Sequence, residues 1–162
     1  MIILGIDPGT RRIGYGVVRT EGGRVELVDA GILSIQSSTD PEALAEMKRG
    51  LGALIKKFKP DRLAVEKLYF AKNQKTALQV AQARGVILLV ATEHGLTAEE
   101  YGPNEIKSGI TGYGLADKKA VLKMVRLILK RPDLDVIDDA SDALAIAIVA
   151  SRRRIGGALN NE

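Results

Sequence analysis

Residues 2–18 read IILGIDPGTRRIGYGVV, and this stretch decides the fold. Four apolar residues and a glycine lead to a single acid, Asp7, which a Pro-Gly pair follows directly. IILGID is typical of a buried strand, and GYGVVRT after the turn is typical of a second strand. An aspartate is common at the start of such a turn, and its carboxylate is also a good ligand for a metal ion. The stretch therefore predicts two antiparallel strands and leaves both roles of Asp7 open.

The rest of the chain predicts one mixed sheet flanked by helices. Residues 24–35 roughly alternate apolar and polar side chains, which predicts a third antiparallel strand. A helix is expected at 38–60, with Asp40 as its cap, and strands are expected at 62–70 and 97–102. Further helices are expected at 74–95, near 103–109, at 117–130 and at 138–154. We therefore predict an α/β fold with a five-stranded sheet, three antiparallel strands and then parallel strands.

Composition excludes several kinds of site. At 162 residues the chain is expected to form a single domain, 1–162, with a short flexible C-terminal end at about 155–162. The absence of cysteine excludes disulfides, thiolate metal sites and a cysteine nucleophile, and a single histidine, His94, excludes a histidine-rich zinc site. Any metal must therefore be held by oxygen ligands. The apolar runs are too short to cross a bilayer and the N-terminus lacks signal-peptide features, so we expect a cytoplasmic protein with no membrane partner.

The charges of the chain are unevenly distributed. The formal net charge is +4, and residues 107–131 carry seven lysines and arginines against one acid. Residues 133–142 then carry five aspartates and no basic residue. A basic segment that runs into an acidic one is what an enzyme needs if it holds a polyanion and also concentrates cations.

Four carboxylates stand where a core-forming pattern would place other residues. Asp7 ends the first predicted strand and Glu66 ends the strand LAVE, while Asp139 and Asp142 open the last helix. The last two are three residues apart and share a helix face, about 5–6 Å apart at their Cβ atoms. Burying such acids unpaired would cost several kcal/mol, and two Mg²⁺ ions would balance four negative charges. Two such ions can activate a water molecule and stabilise the leaving oxygen of a phosphodiester, so the set favours a metal-dependent nuclease.

Each acid alone also has an ordinary structural interpretation. Asp7 could simply start a turn, and acids are common in the first turn of a helix. Glu66 could pair with Lys67 or Arg62 at the strand end. The nuclease interpretation rests on the combination of the four acids with the basic segment.

Four segments of the chain, ILGIDPGTRRIGYGVV, AVEKLYFAKN, QARGVI and DDASDALAIA, together resemble the bacterial RuvC Holliday-junction resolvases of the RNase H-like superfamily. The resemblance covers essentially the whole chain and implies an RNase H-like fold. Asp138 is an additional acid, which we assign to helix capping, and His94 lies off the motif with no expected catalytic role. The family's four catalytic metal ligands, which bind two Mg²⁺ with Mn²⁺ as a substitute, fall on Asp7, Glu66, Asp139 and Asp142.

The resemblance also implies DNA contacts in two regions of the chain. In the family, an aromatic residue that follows the acid at the position of Glu66 stacks near the junction centre, which points to Tyr69 with Phe70 adjacent. Two family lysines lie near the scissile phosphate or the junction. The alternative is that the aromatic residues belong to the core and that the lysines are solvated helix charges. The DNA-binding residues predicted in this way are Tyr69, Phe70, Lys72, Asn73, Lys107 and Lys118.

The activity that the resemblance implies is a Mg²⁺-dependent crossover junction endodeoxyribonuclease. Such an enzyme resolves four-way DNA junctions in homologous recombination and DNA repair by paired symmetric nicks, each made by metal-dependent hydrolysis. The resemblance implies a homodimer with the helix around Gly85 at its interface, and cooperation with the RuvA and RuvB branch-migration complex.

Three other functions are compatible with parts of the sequence. A YqgF-type RNase H-like nuclease of ribosomal RNA maturation shares the opening motif, but AVEKLYFAKN and DALAIA argue against it. An ATP-binding actin or sugar-kinase fold also uses an aspartate turn, but it needs a second phosphate loop and a second domain. A junction-binding module without activity would not require all four acids.

Overall fold

The chain forms a five-stranded sheet with helices packed on both faces. The computed structural model describes residues 1–67 and 74–153. The expected DNA-binding residues from 69 to 73 and the expected flexible end at about 155–162 lie outside these ranges. The strands are β1 (Ile2–Asp7), β2 (Arg12–Glu21), β3 (Arg24–Ser34), β4 (Arg62–Glu66) and β5 (Ala98–Tyr101). The helices are α1 (Asp40–Phe58), α2 (Gln74–Glu93), α3 (Pro103–Thr111), α4 (Lys118–Ile128) and α5 (Asp138–Arg152).

The strand order across the sheet is β3-β2-β1-β4-β5. The first three strands form an antiparallel meander, in which Asp7 of β1 lies opposite Gly14 of β2. Strand β4 then pairs in parallel with β1, and β5 pairs in parallel with β4. The predicted fold class, a mixed sheet of three antiparallel strands followed by parallel strands, is confirmed.

Alternation along β1 divides the core into two layers. Leu4 and Ile6 belong to the layer formed with α1 and α2, whereas Ile3 belongs to the layer formed with α3, α4 and α5. Because successive side chains of a strand point to opposite faces, Gly5 and Asp7 lie on the same face as Ile3. The strand therefore directs the Asp7 carboxylate to the side of the sheet that α5 covers.

Helix α5 lies directly on β1 and β2 because glycines occupy the strand positions beneath it. A Cβ atom on Gly5 or Gly14 would overlap a backbone carbonyl oxygen of α5, that of Ala143 or of Asp139. A Cβ on Gly16 would lie 2.6 Å from the backbone nitrogen of Leu144, closer than side chains ever approach. These three glycines, together with the small residues of α5 itself, fix the height of the helix above the strands.

Two capping predictions are wrong. The residue before α1 that caps it is Thr39, whose hydroxyl accepts a hydrogen bond from the Glu42 amide, while Asp40 is the first helical residue and pairs with Arg11 at 3.0 Å. The N-cap of α5 is Ile137, which has no side-chain hydrogen bond, so Asp138 does not cap the helix. Its charge lies in the first helical turn, where it complements the helix dipole. Across residues 1–67 and 74–153, we find no helix with the length and apolar character that a membrane span requires.

Candidate active site

Two of the four predicted acids end neighbouring parallel strands. Asp7 is the last residue of β1 and Glu66 is the last residue of β4, and the residues just before them, Ile6 and Val65, are register partners. Ala64 packs in the α5 layer, so Glu66, two residues further along β4, lies on the same face as Asp7. The carboxyl ends of these two strands thus place both acids at one edge of the sheet, on the α5 side.

The other two acids come from the start of α5, Asp139 in its first turn and Asp142 three residues later. Asp139 and Asp142 are both partly exposed, and the Asp139 backbone rests on Gly14, the register partner of Asp7. The glycine contact between β2 and α5 therefore brings the start of the helix to the strand end that carries Asp7. All four predicted acids converge on one edge of the sheet from three elements of the fold.

The acids act on one another electrostatically. Burial, followed by the charges of Glu66, Asp142 and Asp139, raises the pKa of Asp7 to about 7, against an opposing effect of Lys118. Desolvation and the negative charge of Asp142 likewise raise the pKa of Glu66. Such clustered carboxylates with raised pKa values are uncommon outside functional sites, because without a cation they repel one another.

Two predicted lysines lie beside these acids. Lys107 of α3 and Lys118 at the start of α4 line a cleft of about 320 Å³ together with Glu66 and Asp142. The positive charges of both lysines oppose the rise in the pKa of Glu66. The structure therefore brings Lys107 and Lys118 to the acids and leaves an open space between them.

Asp139 and Asp142 of α5 are each paired with a cationic side chain. The Nζ atom of Lys118 donates a hydrogen bond to Asp142 Oδ2 at 3.0 Å, and Arg12 Nη2 lies 3.3 Å from Asp139 Oδ2. The alternative in which Arg62 pairs with Glu66 is wrong, because the Arg62 guanidinium donates two hydrogen bonds to Glu99 and a third to the Arg153 carbonyl oxygen. In the part of the chain that the structure describes, neither Arg62 nor Lys67 forms an ion pair with Glu66.

The chemistry of the four acids fits hard divalent cations. Within residues 1–67 and 74–153, no three acidic or histidine side chains lie close enough together to hold one metal ion in the observed conformation. Asp139 and Asp142 pair with Arg12 and Lys118 instead, and burial followed by neighbouring negative charge raises the pKa of Asp7 and of Glu66. Carboxylate oxygens are the ligands that Mg²⁺ and Mn²⁺ prefer, and bound cations would remove the mutual repulsion.

Sequence reasoning did not identify two features of this site. One is Arg12, which lies inside the opening motif and pairs with Asp139. The other is the set of glycines under α5, whose signal is their spacing: Gly14 and Gly16 are two apart in β2, and Gly5 is two residues before Asp7. Glycines at alternate strand positions indicate a face on which another backbone lies very close.

Comparison with known proteins gives a consistent result. The family model described as "Crossover junction endodeoxyribonuclease RuvC" matches residues 3–150. The chain is 48% identical to the crossover junction endodeoxyribonuclease RuvC of Chloroflexus aggregans over 149 residues, which covers 91% of both proteins. It is 45% identical to the RuvC of Syntrophomonas wolfei, again over 149 residues, which covers 91% of this chain and 87% of that protein.

Solved structures agree with these sequence relatives. Thermus thermophilus RuvC in complex with a Holliday junction substrate superimposes with a TM-score of 0.85 at 32% identity, covering 92% of both chains. The yeast mitochondrial Holliday junction resolvase Ydc2 superimposes with a TM-score of 0.70 at 20% identity, covering 93% of this chain and 77% of that one, which shows a shared fold.

Proposed function

Because the chain belongs to the RuvC family of crossover junction endodeoxyribonucleases, we propose that it resolves four-way DNA junctions by hydrolysing phosphodiester bonds at the edge of its sheet. The observation that carries this proposal is the convergence of four carboxylates, Asp7, Glu66, Asp139 and Asp142, on one edge beside an open cleft. We assign these four residues as the ligands of the resident metal, Mg²⁺, for which Mn²⁺ substitutes. Divalent cations held there supply a water of lowered pKa and neutralise charge that develops on the phosphate.

The chain's own residues would bind and orient the DNA strand. Lys107 and Lys118 line the cleft beside the acids, where their ammonium groups can hold a phosphate as point charges. The segment that follows Glu66 in sequence contains the other four proposed DNA contacts, with Tyr69 or Phe70 stacking near the junction centre and Lys72 and Asn73 beside it. These side chains position the scissile phosphate over the carboxylates.

A cleavage assay on paired substrates tests the proposed activity. Purified protein is incubated with a mobile four-way junction and with a linear duplex of the same sequence, with Mg²⁺ or with EDTA. We expect nicks in two opposed strands of the junction, only in Mg²⁺, and an uncut duplex at the same protein concentration. Equal cutting of the duplex, or cutting that persists in EDTA, would contradict the proposal.

We further propose that the enzyme acts as a homodimer through α2. One side of this helix packs in the core through Ala83, Ile87 and neighbouring residues, yet Leu78 and Leu89 are 71% and 50% exposed. With Gly85 these two leucines share a helix face, at spacings of seven and four residues. A Cβ on Gly85 would meet no atom within 4 Å, so the chain's own packing does not explain this glycine. An exposed apolar face with a glycine at its centre suits a second copy of the helix.

Replacing Gly85 by glutamate tests this interface. The substitution leaves the monomer fold intact, because the site is open and glutamate favours a helix more than glycine does. A carboxylate buried unpaired between two subunits costs several kcal/mol, so we expect the dimer dissociation constant to rise at least about a hundredfold. Sedimentation equilibrium measures this change, and Ala45→Glu at an exposed position of α1 is the matched control. A Gly85→Glu variant that stays dimeric would exclude this face from the interface.

The remaining features of the proposal follow from the family. We propose that the chain works as a single domain in the cytoplasm, in recombination and repair, and that it receives its junctions from the RuvA and RuvB branch-migration complex. Two active sites related by a two-fold axis would match the near two-fold symmetry of a four-way junction. Paired symmetric nicks are the expected product of that arrangement.

A further inference from the structure

Arg12 lies at the open edge of the site, on the face that carries the acids. It is the first residue of β2 and stands two residues before Gly14, so it shares the strand face that α5 covers. Its guanidinium Nη2 lies 3.3 Å from Asp139 Oδ2, and the Arg12 side chain is 55% exposed. The guanidinium therefore pairs with the Asp139 carboxylate, one of the proposed ligands, while about half of the Arg12 side chain stays in solvent.

An arginine in this position competes with a metal ion for the same oxygen atoms. Guanidinium remains charged at every physiological pH, so Arg12 can leave Asp139 only by moving and not by losing a proton. The move costs little, because exposed ion pairs contribute at most about 1 kcal/mol and the long side chain has room in solvent. A divalent cation at Asp139 would in addition repel the guanidinium.

A displaced Arg12 would have a new partner in the substrate. Guanidinium groups bind phosphates through two parallel hydrogen bonds, and the site proposed above receives a DNA strand at this edge. Its neighbour Arg11 is held by two partners instead of one, because it donates to the Ser37 carbonyl and also pairs with Asp40 at 3.0 Å. The two adjacent arginines therefore have different roles.

We infer that Arg12 is a positioning residue that holds Asp139 in the metal-free enzyme, yields this carboxylate to the metal and then contacts a phosphate of the bound DNA strand. The inference rests on the proposed four-acid metal site. It predicts that Arg12 opposes metal binding and favours DNA binding. A residue that merely orients the Asp139 carboxylate would favour both.

The Arg12→Gln variant separates these two roles. We expect its affinity for Mn²⁺, measured by calorimetry without DNA, to be two- to fivefold higher than that of the wild type, since one exposed ion pair is removed. We expect its affinity for a four-way junction in Ca²⁺ to be about tenfold lower, since one charged hydrogen bond to phosphate is lost. Arg12→Lys keeps the charge, so the Mn²⁺ affinity should return to the wild-type value, while the junction affinity should recover only in part because an ammonium group cannot make the two parallel bonds.

Arg11→Gln is the matched control, because it removes the same charge at the next residue while leaving Asp139 paired. Its Mn²⁺ affinity should stay within twofold of the wild-type value. If the wild type binds Mn²⁺ and a folded Arg12→Gln variant binds it equally or more weakly, Arg12 does not compete with the metal for Asp139. An unchanged junction affinity would overturn the phosphate contact. A wild-type protein that binds no Mn²⁺, or an Asp7→Asn variant that binds it equally well, would instead overturn the four-acid site.

Discussion

Replacing Asp7 by asparagine is expected to reduce junction cleavage by about a thousandfold or more while junction binding persists. The negative charges of the other three acids, Glu66, Asp142 and Asp139, all act on the Asp7 carboxylate. Removing its charge weakens metal binding by several kcal/mol. A loss of that size in transition-state stabilisation corresponds to a cleavage rate about a thousandfold lower. Lys107 and Lys118 are untouched, so the affinity for the junction should change little. Single-turnover cleavage and gel-shift measurements on the same junction check both parts.

The same variant should be more stable than the wild type in the absence of metal. Since the pKa of Asp7 is raised from 3.8 to about 7, the folded chain binds a proton between about pH 4 and pH 7 that the unfolded chain has released. The wild type therefore loses stability as the pH rises through this window, by up to about 4 kcal/mol in total. Asparagine carries no charge and avoids the loss. In EDTA, urea unfolding should show a more stable variant at pH 8 and a much smaller difference at pH 4.

Asp138→Asn is the control for both measurements. Asp138 lies in the first turn of α5 but is exposed and is not among the proposed ligands. Its variant should retain cleavage within a few fold and should gain no stability at pH 8. If Asp7→Asn cuts the junction at nearly the wild-type rate, Asp7 is not a metal ligand.

Replacing Gly5 by alanine is expected to destabilise the protein by about 3 kcal/mol or more. The added Cβ would overlap the Ala143 carbonyl oxygen and would lie 2.8 Å and 2.9 Å from the backbone nitrogen and Cβ of Ala147. The obstructing atoms are mostly backbone, so the chain can respond only by moving α5 away from the sheet. Such overpacking of a core lowers the free energy of unfolding. The lifted helix would also carry Asp139 and Asp142 away from Asp7. We therefore expect loss of cleavage as well, in the fraction that remains folded.

Gly52→Ala provides the matched comparison. Gly52 is also buried, but a Cβ there would lie 3.6 Å and 3.8 Å from two atoms of the His94 ring, which is ordinary contact. Because Gly52 is in the interior of α1, alanine should leave stability unchanged or raise it by up to about 1 kcal/mol. Urea unfolding of the two variants gives the difference directly. A Gly5→Ala protein as stable as Gly52→Ala would mean that α5 does not rest on β1.

The sequence predicted the parts of the fold that local pattern controls. The apolar run of β1, the strand after its turn, the alternation along β3 and the amphipathic helices were enough for the element order and the mixed sheet. The two capping errors arose because neighbouring residues compete for the same role: Thr39 supplies the oxygen that we expected from Asp40, and Ile137 precedes Asp138 at the start of α5. Competition of this kind is decided by backbone angles that a residue pattern does not contain.

The sequence was enough to propose the four acids of the candidate site, but not which residues lie within contact distance of them. The four acids stood out because each lies at the end of a predicted element. Arg12 was missed because its partner Asp139 is more than a hundred residues away in sequence, and a surface arginine has no distinctive pattern. The glycines under α5 were missed for a related reason, since the contact of a helix backbone with a strand depends on which face the helix covers.

The dependence of the site on α5 has a consequence for the newly made protein. A ribosome releases the N-terminal strands first and adds about 5–20 residues per second, so Asp139 follows Asp7 by roughly ten seconds. During that interval the nascent chain holds Asp7 and later Glu66, but not the two acids that complete the set. Its glycine-lined strand face is still uncovered. Nuclease activity should therefore appear in a single step, when α5 packs onto Gly5, Gly14 and Gly16, and not gradually as the chain grows.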